Sequence, residues 1–251
     1  MKKLRSLSVF FPALNDARSL PYLINRACAA AERVSEKFEV IIIDDGSTDK
    51  TQEVLAIARV HYKNLRVIRH PKNRGYGAAL QDGFAHARYA WIFYTDGDGQ
   101  YDPEELERLV PFASPDIDVV NGYKLHRADS YIRKFVGFLY NRLSHTEYAL
   151  PIRDVQCDFR LIRATSMKKF RLQATSGLVC LELVLKLTQT GARFAEVGVH
   201  HYPRLFGRSQ FFRPANLWRT LVEHIQLFNR FMVRQHAKGR EYIARRLYGT
   251  I

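Results

Sequence analysis

The chain has 251 residues, with 39 lysines and arginines against 25 aspartates and glutamates and a formal net charge of +14. That length buries one sizeable core and would cramp two full domains, while the charge points to anionic partners, whether nucleotides, phospholipid headgroups or nucleic acid, without choosing among them. The three cysteines, Cys28, Cys157 and Cys180, are far apart and form no Cys-x-x-Cys pair, which argues against a disulfide framework or a zinc site and for a reducing compartment.

Strand-like and helix-like runs alternate from the start. Met1-Lys2-Lys3-Leu4-Arg5 followed by Leu7 to Phe11 mimics a signal peptide, but the apolar run is short and enters Asn15-Asp16 without a small-residue cleavage site, so it reads as a first strand, Leu7 to Leu14. A helix follows near 17–35, then a strand at Glu39–Ile43 and a helix near 49–61. Next come a strand at Leu65–Arg69, a helix from about Tyr76 to Ala87, a strand at Ala90–Thr95, a helix from Pro103 and a strand at Ile117–Val120. This alternation predicts an α/β fold, a mostly parallel, Rossmann-like sheet flanked by helices. Val40-Ile41-Ile42-Ile43 is apolar without alternation, as a strand buried on both faces should be.

Beyond Asn121 the pattern loosens into a basic, aromatic segment, Tyr123 to Tyr148, expected to cover or flank a site. A helix is predicted over Gly177–Thr190, a strand over Arg193–Val199 and a loop through Gly207. The last helix, about Pro214 to Gln235, places Leu217, Leu221, Ile225, Phe228 and Met232 on one side and Arg219, Glu223, Gln226, Arg230 and Arg234 on the other. It either packs on its own domain or, with Trp218, Phe231 and the basic tail Lys238, Arg240, Arg245 and Arg246, lies in a membrane interface. No run approaches the roughly 18 apolar residues that span a bilayer.

Chemistry gathers at the strand ends. Trp91-Ile92-Phe93-Tyr94 runs into Thr95-Asp96-Gly97-Asp98-Gly99-Gln100, and two carboxylates two residues apart point the same way on extended backbone, fit to share a divalent cation with a phosphate-bearing ligand. Pro12-Ala13-Leu14-Asn15-Asp16 closes the first strand, Asp44-Asp45-Gly46-Ser47-Thr48-Asp49 the second, and Asn73-Arg74-Gly75-Tyr76-Gly77 follows the third. Each alone has an ordinary explanation as a turn or helix cap. Together they place acceptors for a base and ribose, a basic side chain for phosphate and a carboxylate pair along the sheet edge where open α/β folds bind ligands. Arg204 and Arg208 flank Gly207 and suit phosphate. The tandem His200 and His201 face opposite ways on a strand and do not suit a shared metal.

The ordered set Pro12-x-x-Asn15, Asp44-Asp45-Gly46-Ser47-x-Asp49, Asn73-x-Gly75-x-Gly77-Ala78 and Asp96-x-Asp98-x-Gln100 resembles family 2 glycosyltransferases of the GT-A fold, and most closely the dolichol-phosphate mannosyltransferase and polyprenyl-phosphate branch, over roughly residues 6–212. The resemblance implies a GT-A catalytic domain at 1–212 and a basic amphipathic helical extension at 213–251. It implies Pro12, Asp44 and Asp45 around the nucleotide base and ribose, Asn15, Asp16, Arg74 and Gly75 in substrate binding, and Asp96, Asp98 and Gln100 as holders of magnesium or manganese and the donor diphosphate. Arg204 and Ser209 would approach the phosphates, and Arg127 and Arg133 would hold the acceptor's phosphate. Asp16 stands where the family usually has glutamate, and Cys157-Asp158 where it usually has a small pair before Phe159-Arg160.

The activity implied is inverting transfer from a UDP- or GDP-linked sugar to a dolichyl or undecaprenyl phosphate, at the cytoplasmic face of a membrane. The enzyme would be bound there peripherally or through a membrane-protein partner. Nucleic acid is disfavoured as a partner. Two alternatives stand beside this reading. One is a transferase acting on a soluble or cell-envelope glycan, with Glu182 or Asp158 as base, although a structural role for Glu182 is favoured. The other is an inactive GT-A scaffold that binds membrane or nucleic acid.

Overall fold

The computed structural model describes residues 3–127, 131–204, 206 and 214–248, the side chains of 126–127, 131–133 and 234–248 excepted. The first half follows the anticipated alternation: β1 (Leu7–Ala13), α1 (Leu20–Val34), β2 (Phe38–Asp44), α2 (Thr51–His61), β3 (Leu65–Arg69), α3 (Tyr76–His86) and β4 (Trp91–Thr95). After β4 the structure departs from expectation. The helix from Pro103 is only a 3-10 turn leading into α4 (Leu106–Leu109), because Pro111 lacks the N–H that would continue it and its ring clashes with the preceding turn.

The strand expected at 117–120 is instead the longer β5 (Val119–Arg127). The basic aromatic segment forms α5 (Tyr131–Tyr148). Then come β6 (Phe159–Arg163), which the sequence did not announce, a short α6 (Ala164–Met167), α7 (Val179–Gln189), β7 (Phe194–His201) and α8 (Pro214–Tyr248).

The seven strands form one sheet in the order β3-β2-β1-β4-β6-β5-β7. Only β6 runs antiparallel, against both β4 and β5. Side-chain alternation splits the core between the two faces: Val9, Phe11, Val40 and Ile42 pack with α1, while Phe10, Ile41, Ile43 and Tyr94 pack with α3 and α7. Strand order reverses between β1 and β4, since β2 and β3 extend one way from β1 and β4 the other. A crevice opens there beyond the carboxyl ends of the strands.

The amphipathic C-terminal helix docks partly through its polar side, with most of its apolar stripe left outside. Glu223 and Arg230, on its polar side, hold the body: Glu223 accepts hydrogen bonds from the backbone N–H and hydroxyl of both Thr175 and Ser176 at 2.6–3.1 Å, and Arg230 donates to Gln173. Leu227 is buried, and Phe228 and Phe231 pack on Tyr148. Leu217, Trp218, Leu221, Ile225 and Met232 face outward. The unpaired N–H groups ahead of α7 need an acceptor, and a carboxylate meets that need where an apolar stripe would leave them unsatisfied. On α5, Phe135, Phe138, Leu139 and Leu143 are exposed as well.

Candidate active site

A cavity of about 930 Å³ occupies the crevice, lined by the ends of β1, β2 and β4, the start of α3, and residues of α5 and α8. At the end of β1, Asn15 takes a left-handed backbone (φ 59°), a conformation asparagine tolerates better than most residues. Its side-chain oxygen accepts from the N–H of Thr48 at 2.8 Å, and its own N–H donates to Ser47 at 2.9 Å. Asn15 thereby stitches the ends of β1 and β2 into one rim.

The two acidic residues closing β2 do different work. Asp44 is fully buried and absent from the lining; it accepts from the N–H of Ser47 at 2.8 Å and lies 3.8 Å from Arg69. Asp45 lines the cavity and grips the turn before α3, accepting from the N–H groups of Arg74 (2.8 Å) and Gly75 (2.9 Å). His70, which the sequence reading did not single out, bridges Asp45 at 2.6 Å and Asp82 at 2.7 Å. Arg74 turns from the cavity and pairs with Asp82 at 2.7 Å. Gly75 has φ +100°, and a Cβ there would sit 2.6 Å from the Thr175 carbonyl, so only glycine fits this close approach.

At the end of β4 the carboxylates converge. Tyr76 donates to Oδ1 of Asp96 at 2.6 Å. Burial, together with the neighbouring Asp158 and Asp98, pushes the Asp96 carboxyl well above the usual carboxylate range. Asp16 is pushed up to about 7, by burial first and then by Asp98, against the lowering effect of the Leu14 N–H. Oδ2 of Asp98 receives Nη2 of Arg204, and its Oδ1 accepts from the N–H of Gln100 at 3.0 Å. Gly97 approaches β1 so closely that a Cβ would lie 2.5 Å from the Pro12 carbonyl, which brings the acidic pair against the β1 rim.

The remaining candidates divide between the cavity and the scaffold. Gln100 lines the cavity, but its amide nitrogen donates to the Tyr202 carbonyl at 3.2 Å, tying the exit of β7 to β4. Asp158 faces the cavity from the head of β6, held by the Tyr94 hydroxyl (3.2 Å) and by the fully buried Arg160 (3.0 Å). Glu182 is buried away from the lining; it accepts from the N–H groups of Gln173 and Ala174 and pairs with Lys186, which is structural work. His200 pairs with Glu105 while His201 packs on Tyr101, so the two histidines do diverge. Ser209 and the side chains of Arg127 and Arg133 lie outside the described residues.

Among the described residues, no group of three or more histidine, cysteine, aspartate or glutamate side chains is arranged to hold a metal alone. Asp96 and Asp98 form an oxygen-only pair, with the Asp96 carboxyl pushed up by burial first and then by Asp158 and Asp98, and with a guanidinium adjoining Asp98. That chemistry fits a hard divalent cation whose other ligands come from a diphosphate.

An open α/β sheet with an acidic pair at its switch point defines a nucleotide-binding α/β enzyme. The chain belongs to glycosyl transferase family 2, whose sequence profile matches residues 8–170. Its fold is GT-A, and it is a glycosyltransferase.

Solved structures of glucosyl-3-phosphoglycerate synthase from Mycobacterium tuberculosis share the fold. The complex with Mn2+, UDP-glucose and phosphoglyceric acid has a TM-score of 0.69 and 19% identity, covering 90% of this chain and 80% of that one. The complex with Mn2+, UDP and glucosyl-3-phosphoglycerate has a TM-score of 0.63 and 21% identity, covering 82% and 73%. A complex of the same enzyme with Mg2+ and UDP has a TM-score of 0.63 and 19% identity.

Proposed function

We propose that this glycosyltransferase moves one sugar from a nucleoside diphosphate sugar, held with Mg2+ or Mn2+ at Asp96 and Asp98, to the phosphate of a polyprenyl lipid at a membrane surface. The observation that carries the donor half is the crowded carboxylate pair at the end of β4, which fits a cation and a diphosphate together. The Mn2+, Mg2+ and UDP complexes of the M. tuberculosis synthase support the same metal and nucleotide classes. When bound, the cation neutralises charge growing on the departing diphosphate.

This chain's own residues do the rest. Tyr76 orients Asp96, and Asp98 and Arg204 stand ready to exchange their pairing for cation and phosphate contacts. The rim built from Pro12, Asn15 and Asp45 receives the base and ribose, and the turn at Arg74 and Gly75 fixes that rim's position. Gln100 acts through Tyr202, holding the segment that presents Arg204. Inversion at the anomeric carbon follows from a single displacement: a phosphate oxygen of the acceptor bonds to that carbon as its bond to the diphosphate oxygen breaks, and the electron pair leaves with the diphosphate. The attacking oxygen is already anionic at neutral pH, so no strong base is required.

The acceptor half is supported by the outward apolar faces of α5 and α8 beside the cavity, on a chain of net charge +14. No described helix is long and apolar enough to cross a membrane; on this reading the attachment is peripheral, directly or through a membrane-protein partner. On this reading the segment 213–251 is an extension that closes the catalytic domain of 1–212.

A second reading, a soluble phosphorylated acceptor, draws on the phosphoglyceric acid in the M. tuberculosis complexes. Incubation with labelled UDP- and GDP-sugars, Mn2+ and either polyprenyl phosphate or phosphoglyceric acid separates the two. Label in an organic-extractable product supports the lipid, and label only in water-soluble product sinks it.

A further inference from the structure

The lysine and arginine side chains among the described cavity-lining residues are Lys124, Arg204 and Arg219. Two of them are committed. Lys124 is almost fully buried and donates to the Gln156 carbonyl at 2.6 Å and to Asp154 at 3.3 Å. Arg204 pairs with Asp98. Arg219 has no hydrogen-bond or ion-pair partner among the described residues, although the same cavity is bordered by five aspartates, Asp16, Asp45, Asp96, Asp98 and Asp158. Its Nη1 lies over the α3 turn, 3.2 Å from where a Cβ on Gly75 would stand.

The helix keeps Arg219, an exposed residue, on the side that borders the cavity. Glu223 lies one turn further along the same face, clamped by four hydrogen bonds to Thr175 and Ser176, and residues four apart on a helix share a side. The neighbouring positions Leu217, Trp218 and Leu221 are consequently turned outward. Across the opening, Val136, Gly137 and Tyr140 of α5 line the cavity while Phe135, Phe138 and Leu139 are exposed beside them. α5 and α8 meet at Tyr140, Glu147 and His224; ahead of that contact they border the cavity with one uncommitted guanidinium and carry exposed apolar side chains on their outer sides, chemistry suited to an amphiphile with an anionic head.

We propose that Arg219 is a ligand of the acceptor's phosphate, and that the acceptor enters between α5 and α8 with its hydrocarbon along Phe135, Leu139, Leu217 and Leu221. This rests on the transferase reading above and adds a residue and an entrance to it. A planar guanidinium presents two parallel N–H donors to a phosphate. These apolar side chains decide between sources of that phosphate: a free phosphorylated acid would leave them without use, and a polyprenyl chain covers them. Once bound, the phosphate is held on the wall formed by α8, with the acidic pair and Arg204 on the β4 and β7 side of the same cavity.

Flotation of the full chain with phosphatidylcholine vesicles, with and without a small fraction of polyprenyl phosphate, tests this without requiring turnover. The wild type should gain binding when polyprenyl phosphate is added. Arg219→Gln should lose about tenfold or more of that gain, and Arg219→Lys should recover part of it. Calorimetric affinity for UDP or GDP with Mn2+ should stay within about twofold in both variants, which also shows the fold intact. In turnover, Arg219→Gln should raise the acceptor KM.

Retention of the polyprenyl-phosphate gain by Arg219→Gln overturns the assignment. So does a loss of nucleotide affinity with an unchanged acceptor KM, which would move Arg219 to the donor. Transfer by the wild type to phosphoglyceric acid alone would refute the lipid reading and the role of the apolar side chains, and a raised KM for that acid in Arg219→Gln would still bear out the phosphate role.

Discussion

Arg204 donates from Nη2 to Oδ2 of Asp98, joining the segment after β7 to the end of β4 across the mouth of the cavity. The guanidinium offsets a carboxylate whose charge acts on both Asp96 and Asp16. In the proposed function, a cation and a diphosphate would replace this pairing for both residues. Arg204→Ala should lower kcat by roughly 10²–10³-fold, the usual scale for removing a group that stabilises a developing anion, with a smaller rise in donor KM. Steady-state kinetics with donor varied at saturating acceptor reads the split, and a change confined to KM would make Arg204 a binding residue only.

Glu223 carries a pH dependence. Burial acts to raise its pKa, but hydrogen bonds from Ser176 and Thr175 outweigh burial and hold it below the ordinary glutamate range. A depressed acid stabilises the fold above its unfolded-state pKa and loses that contribution as pH falls through the folded value. Docking of α8 should therefore weaken on acidification below the ordinary glutamate range, and Glu223→Gln should lose that dependence and cost about 1–3 kcal/mol at neutral pH. Thermal melts of both forms between pH 3 and 7 supply the comparison; parallel curves would mean that the clasp contributes nothing.

Arg160 is fully buried, donating to Asn121 (2.6 Å), the Val155 carbonyl (2.6 Å), Asp158 (3.0 Å) and the Tyr94 hydroxyl. Arg160→Leu leaves Asp158 without its cation and should destabilise the protein by about 3–5 kcal/mol. Arg160→Leu combined with Asp158→Asn should cost less than the single change. Urea denaturation measures both, and simple additivity would deny the coupling.

Gly75→Ala introduces a side chain at φ +100° and 2.6 Å from the Thr175 carbonyl. The strain should cost about 1–3 kcal/mol and displace the turn that Asp45 holds, lowering nucleotide affinity. An alanine variant with unchanged melting temperature and affinity would show that the turn can shift freely.

Glutamate in place of Trp218, on the outward face of α8, should reduce flotation with anionic vesicles several-fold without changing nucleotide affinity. Undiminished flotation would place the membrane-contacting surface elsewhere.

The sequence carried most of the first half because strands such as Val40-Ile41-Ile42-Ile43 are buried on both faces and their ends carry glycine and aspartate turns. The grouping of Pro12, Asn15, Asp45, Asp96 and Asp98 around one cavity was legible for the same reason. β6 was not, since a fully buried arginine sits second in it and only the partners of Arg160, Asn121 and Tyr94 among them distant in sequence, make that position tolerable. The helical form of α5 was obscured because Phe135, Phe138, Leu139 and Leu143 remain exposed, so its pattern does not mark a core-facing stripe. Arg74 looked like a phosphate ligand and proved to be paired with Asp82, and His70 escaped notice because its two carboxylate partners are 25 and 12 residues away. The inward turn of the polar side of α8 depends on donors at Thr175 and Ser176 that no helical periodicity encodes.

Calorimetric titration of UDP and GDP into the wild type and Asp98→Ala, each with and without Mn2+, tests the donor site most directly. Binding by the wild type that requires the metal, and its loss in a folded Asp98→Ala variant, is the predicted result. Equal binding by both proteins with no dependence on Mn2+ would contradict the assignment of the β4 end as the metal and diphosphate site.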